Sequence, residues 1–294
     1  MTLPEGFQFN QGNIQDYLDC QRRFQLRHLL HVAWPSLVSQ PASETENYIQ
    51  LGTAFHYLVR QHLSGVPLDL LIARVHNIPH HEENELITWW DNYISALKDP
   101  AQLGALLAPH VHKEIIHWPE VTLTTTLAGY RAIAKYDLVT LTPTGTATIL
   151  DWKTSHSRPR RQWLQERIQT RIYPYILVNA GKDLNRGIPV EPMHIELHYW
   201  FANFPAQPEI FSYSPEQFFA DEAYLCDLIH QIDQQAGFDF PLTHNTGHCR
   251  YCVYQSLCDR GTNVGNLSTS EISELGELGE SVIPDIQQID EIEL

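Results

Sequence analysis

The chain has 294 residues, 43% of them hydrophobic, with 35 acidic against 19 basic side chains and a formal charge of −16. That supplies the core of one large or two small globular units. No apolar run is long enough to cross a bilayer, and the opening MTLPEGFQFNQGN lacks the basic and apolar regions of a secretory signal. A soluble cytoplasmic protein is expected, so metal ligation outranks disulfides as the use of its five cysteines.

In chain order, residues 13–33 read as a helix with Ile14, Tyr17, Leu18, Phe24 and Leu29 as its apolar positions. PSLVSQPASE reads as a loop. Residues 45–63 form a second helix, with Tyr48, Leu51, Phe55, Leu58 and Leu63 as its stripe. Pro67 to about Leu107 looks helical, with breaks near Pro79 and Pro100. Four strands follow, over 112–121, 122–130, 131–141 and 146–154. Residues 161–181 return to helix with Pro174 as a kink or break, 193–203 form a strand, and 215–235 a late helix. This order suggests an α/β core, a central mixed sheet flanked by helices, with a helical insertion at about 64–109. From Thr262 to Leu294 there are eight acidic residues and no Lys or Arg, which is half of the net charge. This segment reads as a weakly structured acidic tail, with a short docking helix as the lesser reading.

ILDWKTS, Ile149 to Ser155, places Asp151 and Lys153 on one face of a strand, where side chains at i and i+2 point the same way. Alone, such a pair is most simply a cross-strand salt bridge. The preceding Pro143-Thr144-Gly145 suits a three-residue hairpin loop. A hairpin centred on Thr144 sets Asp137 opposite Asp151. Two facing carboxylates repel unless one is protonated or a divalent cation lies between them. Asp137, Asp151 and the Trp152 carbonyl are hard oxygen donors of the kind that suit Mg²⁺. Lys153 on the same face would orient a water or stabilise charge on a phosphate, while the Trp152 ring points to the other face and the core. Directly after this strand come Arg158, Arg160, Arg161, Arg167 and Arg171. With Lys153 they make six of the nineteen basic residues. A nucleic-acid backbone would be drawn to them, and a solvated helix face is the alternative.

HCRYCVYQSLC gives Cys249-x₂-Cys252-x₅-Cys258, with Cys20 far upstream. Cys249-x₂-Cys252 with a third cysteine suits a metal site, zinc or iron–sulfur, and on its own favours zinc. Cys226, alone in the late helix, reads as a small buried hydrophobe.

These residues resemble the PD-(D/E)XK nuclease superfamily in its RecB-like branch. The likeness is carried by Asp137, by DWK at 151–153, by QTRIY from Gln169 to Tyr173, and by GTAFH with Gly52 and His56. It covers most of residues 10–260 apart from the insertion and the tail, and places a nuclease domain at 1–261. One departure is AKYD in place of the common G-x-[IV]-D. The resemblance implies a restriction-endonuclease-like fold and a site where His56, Asp137, Asp151 and the Trp152 carbonyl hold Mg²⁺ or Mn²⁺. Gln169 and Tyr173 would position DNA or the attacking water. Glu114 is a surface carboxylate or an outer acid of the site. It also implies a [4Fe–4S] staple on Cys20, Cys249, Cys252 and Cys258, with zinc as the lesser possibility; CQRRF matches the common CPRRF except for Gln21. The expected activity is hydrolysis of DNA phosphodiesters, as an exonuclease acting on ends or single strands. The setting would be DNA repair, recombination or CRISPR adaptation, with proteins of those pathways as possible partners. The alternatives are a silent nuclease-fold module that binds DNA or a partner, and a zinc-containing interaction protein.

Overall fold

The computed structural model describes residues 3–32, 40–77, 84–107, 115–249 and 252–261. Glu114 and the acidic tail lie outside the described residues. Strands β1 (Gln8–Asn10), β2 (Ile116–Leu127), β3 (Tyr130–Leu141), β4 (Ala147–Lys153), β5 (Ile195–Phe201) and β6 (Glu209–Ser212) form one mixed sheet. Strand β3 is its centre. It runs antiparallel to β2 along its length, parallel to β1 over Arg131–Ile133, and antiparallel to β4 over Leu138–Leu141. Beyond β4 the sheet continues through β5, parallel, to β6, antiparallel. Beta-branched and aromatic residues dominate the buried strands, as a pleated surface covered on both faces favours.

The β3–β4 hairpin adopts the expected register. Leu138 pairs with Leu150 and Leu141 with Ala147. The loop closes through Gly145 N–H donating to the Thr142 carbonyl at 3.0 Å, and Gly145 sits at φ 87°, where only glycine is free of strain. The ladder stops one residue short of Asp137 and Asp151, so both carboxylates lie where the two strands part.

Each face of the sheet is covered. Helices α1 (Gln11–Asp19), α2 (Gln21–Phe24), α7 (Arg161–Glu166), α8 (Ile168–Ala180) and α9 (Pro215–Gln235) belong to one side. There Ile172, Ile176, Leu225 and Ile229 pack with Val139, Ile149 and Leu197. Helices α3 (Gln40–Leu63), α4 (Leu68–His76), α5 (Asn84–Lys98) and α6 (Gly104–Leu107) belong to the other. Phe55, Trp89 and Tyr93 meet Leu138, Leu150, Trp152 and Trp200 there. Phe55 stacks on Trp200 with ring centroids 6.2 Å apart, and Tyr93 meets Trp152 edge to face at 5.9 Å. Among the described residues no helix is long and apolar enough to cross a membrane.

Several local expectations change, among them the loop expected over 35–44, whose residues 40–44 belong to α3. The helix expected over 13–33 breaks at Cys20, whose backbone is extended (φ −160°, ψ 103°). The two strands expected over 112–130 are one, β2. The helix over 161–181 breaks at Arg167, extended at ψ 142°, and α8 runs on through Pro174 because buried Ile172, Tyr173 and Ile176 hold it against the sheet. Strands β1 and β6, three and four residues long, are too short to show a period.

Candidate active site and cysteine-lined cavity

Helix α3 brings His56 to the sheet because Phe55, one residue earlier, is fully buried in the second core. Gly52, one turn before His56, lets the helix approach β4 closely. A Cβ built there would lie 3.1 Å from Thr154 Oγ1. His56 Nδ1 lies 3.2 Å from Asp137 Oδ1. The other oxygen of Asp137 accepts the Trp152 N–H at 2.8 Å, which ties β3 to the motif on β4.

A third group completes this corner. Glu120 of β2 carries a carboxylate that, with His56 and Asp137, brings three ligand atoms within 4.8 Å of one another. Glu120 has a left-handed backbone, φ 51°, and the β2–β3 ladder skips it and Asp137. The buried faces of β3 change phase at the same level: Tyr136 and Val139 join the first core while Leu138 joins the second. Such an irregularity turns side chains out of the pleat and into a site. Sequence reasoning missed Glu120. The available signal was Pro119 inside a strand pattern, which marks an irregular position.

Asp151 and Lys153 stand beside this corner. Lys153 Nζ lies 2.8 Å from Asp151 Oδ2. Gln169 of α8 donates from Nε2 to Asp151 Oδ1 at 2.5 Å and accepts Lys153 Nζ on Oε1 at 3.2 Å. Tyr173, one turn on, donates its hydroxyl to the Lys135 carbonyl at 2.7 Å, and Lys135 itself reaches Glu120 at 3.3 Å. The Trp152 ring is in the second core, as the alternation of the strand requires.

Charges are strongly coupled here. Burial opposes the His56 imidazolium, yet the Asp137 carboxylate outweighs it and raises the pKa to about 9. Burial pushes the Asp137 carboxyl up, but His56, the Trp152 N–H and Lys153 hold it below the usual range. Burial and the Asp137 charge together push Glu120 up. Two acids and one imidazole within this space form a site suited to a divalent cation.

A family model described as the PD-(D/E)XK nuclease superfamily matches residues 8–259. The chain belongs to the PD-(D/E)XK nuclease superfamily. Two solved structures similar to this nuclease-family chain are a candidate exonuclease from Eubacterium rectale and the protein SSO0001. The first is 11% identical over 81% of this chain and 84% of that one, with a TM-score of 0.49. The second is 15% identical over 89% and 90%, with a TM-score of 0.40. Among curated proteins no sequence matches.

The basic stretch of this superfamily member is engaged with its own surface. Arg158 and Arg161 both pair with Glu209 of β6. Arg171 reaches Asp221 at 2.7 Å and lies over the Tyr224 ring. Arg167 lies over Trp163 and 3.9 Å from Asp19. Arg160 and Arg161 are exposed.

The four cysteines expected to act together do converge. Cys20, Cys249, Cys252 and Cys258 line one cavity with Arg23 and Arg260. The break at Cys20 is what turns its thiol into this space. Burial pushes the Cys252 and Cys258 thiols up, and the neighbouring Arg23, Arg22 and Arg260 oppose the shift. Arg260 Nη1 donates to Cys249 Sγ at 3.2 Å. Cys226 stands apart on α9, partly buried against the first core.

Proposed function

We propose that the chain is a divalent-metal-dependent deoxyribonuclease of the RecB-like branch that degrades DNA from its ends. The observation that carries this reading is the meeting of His56, Glu120 and Asp137 beside the Asp151–Lys153–Gln169 array. His56, Glu120 and Asp137 would hold Mg²⁺ or Mn²⁺, with Asp151 and the Trp152 carbonyl as further oxygen donors. Such an ion, when bound, activates water and neutralises phosphate charge. Lys153 presents its ammonium where charge develops on the phosphate. Gln169 fixes both Asp151 and Lys153 through its one amide. Exposed Arg160 and Arg161 would meet the DNA backbone. The preference for ends rests on the likeness to RecB-like exonucleases, whose roles span DNA repair, recombination and CRISPR adaptation.

The cysteine cavity fits a [4Fe–4S] cluster, with zinc as the lesser candidate. Four thiolates would hold the cluster, and the neighbouring Arg22, Arg23 and Arg260 would offset its net negative charge. Iron with acid-labile sulfide in protein purified without oxygen supports the cluster; stoichiometric zinc replaces it.

The test of activity uses linear end-labelled and circular DNA with Mg²⁺ or Mn²⁺. Wild type is expected to degrade the linear substrate and spare the circle, and Asp151→Ala to lose at least a hundredfold of that rate. Equal behaviour of the two proteins overturns the reading.

A further inference from the structure

The first backbone N–H groups of a helix have no partner within it. Helix α8 begins at Ile168, and Arg167 before it supplies no side-chain cap. The Ile168 N–H instead donates to Gln15 Oε1 at 3.2 Å, from α1. Gln15 is buried, and its Nε2 donates to Asp19 Oδ1 at 2.8 Å. The other oxygen of Asp19 receives Arg23 Nη2 at 3.1 Å and lies 3.9 Å from Arg167. Arg23 is 2% exposed and lines the cysteine cavity, and its Nη1 has no hydrogen-bond partner among the described residues. Asp19 directly precedes Cys20, and Gln169 directly follows Ile168.

We propose that Gln15 is a positioning residue for the catalytic centre, capping α8 so that Gln169 meets Asp151 and Lys153, and that Asp19 and Arg23 tie this cap to the group held by the four cysteines. This rests on the nuclease reading of Gln169 and on the cysteines as a metal centre. The chain of contacts is short and largely buried, and Arg23 is held in it by a second ion pair, Nε to Asp16 Oδ1 at 2.8 Å. Gln15 accepts from the helix and donates to Asp19. Asp19 accepts from Gln15 and Arg23. Arg23 lines the cavity and keeps an N–H without a hydrogen-bond partner among the described residues, for which bound thiolates or sulfide are natural acceptors. A small displacement of the first turn of α8 would loosen the hold of Gln169 on both charged groups, and misplacement of that size slows catalysis.

Hydrogen exchange of the first turn of α8, measured on the full chain with its metal centre intact, tests the cap directly. Gln15→Leu is expected to raise exchange there about tenfold while leaving α9 at the wild-type rate. Removal of the metal from the cysteines in wild type gives the same local rise, and in Gln15→Leu it adds nothing further. An unchanged α8 in Gln15→Leu overturns the cap; an α8 indifferent to the metal in wild type overturns the tie to the cysteines. Gln15→Glu, which keeps an acceptor for Ile168 but cannot donate to Asp19, should keep α8 protected and abolish its response to the metal. This variant decides the matter if Gln15→Leu does not fold. In turnover, Gln15→Leu should lower kcat about tenfold with KM unchanged and have no further effect beside Gln169→Ala. Additive losses assign Gln15 a general structural role and overturn the proposal. A wild-type protein without nuclease activity removes the functional reading, and the exchange experiment still decides the contacts.

Discussion

Glu120 occupies a backbone region that costs a non-glycine residue about 1–3 kcal/mol and persists only where the surroundings impose it. It stands across from Asp137, and the carboxylates are kept together by His56 on one side and Lys135 on the other. A cation relieves this crowding; without one, the proton on His56 does. The pH dependence of the metal-free protein follows. His56 is raised in the folded state to about 9, from an ordinary value of 6.5. Its pairing with Asp137 therefore stabilises the fold fully below pH 6.5, and that contribution is lost as pH rises through about 9. Asp137 is depressed, so its share is present above its ordinary value and lost in acid. Thermal melts in chelator from pH 6 to 10 should show a falling midpoint for wild type and a flatter one for His56→Gln. Saturating Mn²⁺ should flatten the wild-type curve as well, since the ion takes the place of the proton. Parallel curves for the two proteins in chelator would show that the pair contributes nothing.

At the scale of elements, the site depends on how closely α3 approaches β4. Phe55 anchors the helix in an aromatic cluster with Trp89, Tyr93 and Trp200, and Gly52 leaves room for Thr154. Gly52→Val places branched carbons where even one Cβ meets Thr154 Oγ1 at 3.1 Å. It should cost about 1–3 kcal/mol of stability by overpacking and weaken Mn²⁺ binding at His56 in the same protein. Thr154→Ala should restore part of both, as calorimetry would measure. A Gly52→Val protein with wild-type stability and affinity would show that the close approach is unimportant. Helices α3 and α9, strand β4 and the hairpin between β3 and β4 were legible because long apolar periods and the Pro-Thr-Gly loop specify them locally. The break at Cys20 was not, since the apolar positions continue past it. The cavity formed with residues from the far end of the chain decides that bend. Glu120 escaped for a similar reason: its neighbours His56 and Asp137 are remote in sequence, and only the kinked pairing of β2 and β3 brings it to them.

For the whole molecule, the cysteines join the two ends of the described chain. Cys20 lies between the first helices and the other three follow α9, about 230 residues later. A group bound by all four thiols would close a loop of that length and restrict the unfolded chain by an amount on the order of 5 kcal/mol in the chain-entropy account. Loss of the metal, or Cys258→Ser, should therefore lower the melting temperature by many degrees. Calorimetry with metal analysis on the same samples would check this; a melting temperature indifferent to the cysteines would mean that packing alone holds the ends. The motif order along the sequence made the superfamily readable and named His56, Asp137, Asp151, Lys153 and Gln169 of the candidate site, because each motif sits on its own strand or helix. The partners of the arginines after β4 were not readable, since Glu209 and Asp221 come from later elements. His56, Glu120 and Asp137 are proposed to hold the divalent ion, and anomalous diffraction from crystals grown with Mn²⁺ would locate it. A peak bonded to all three side chains is the predicted result. A peak elsewhere, or one that excludes Glu120 and His56, would contradict it.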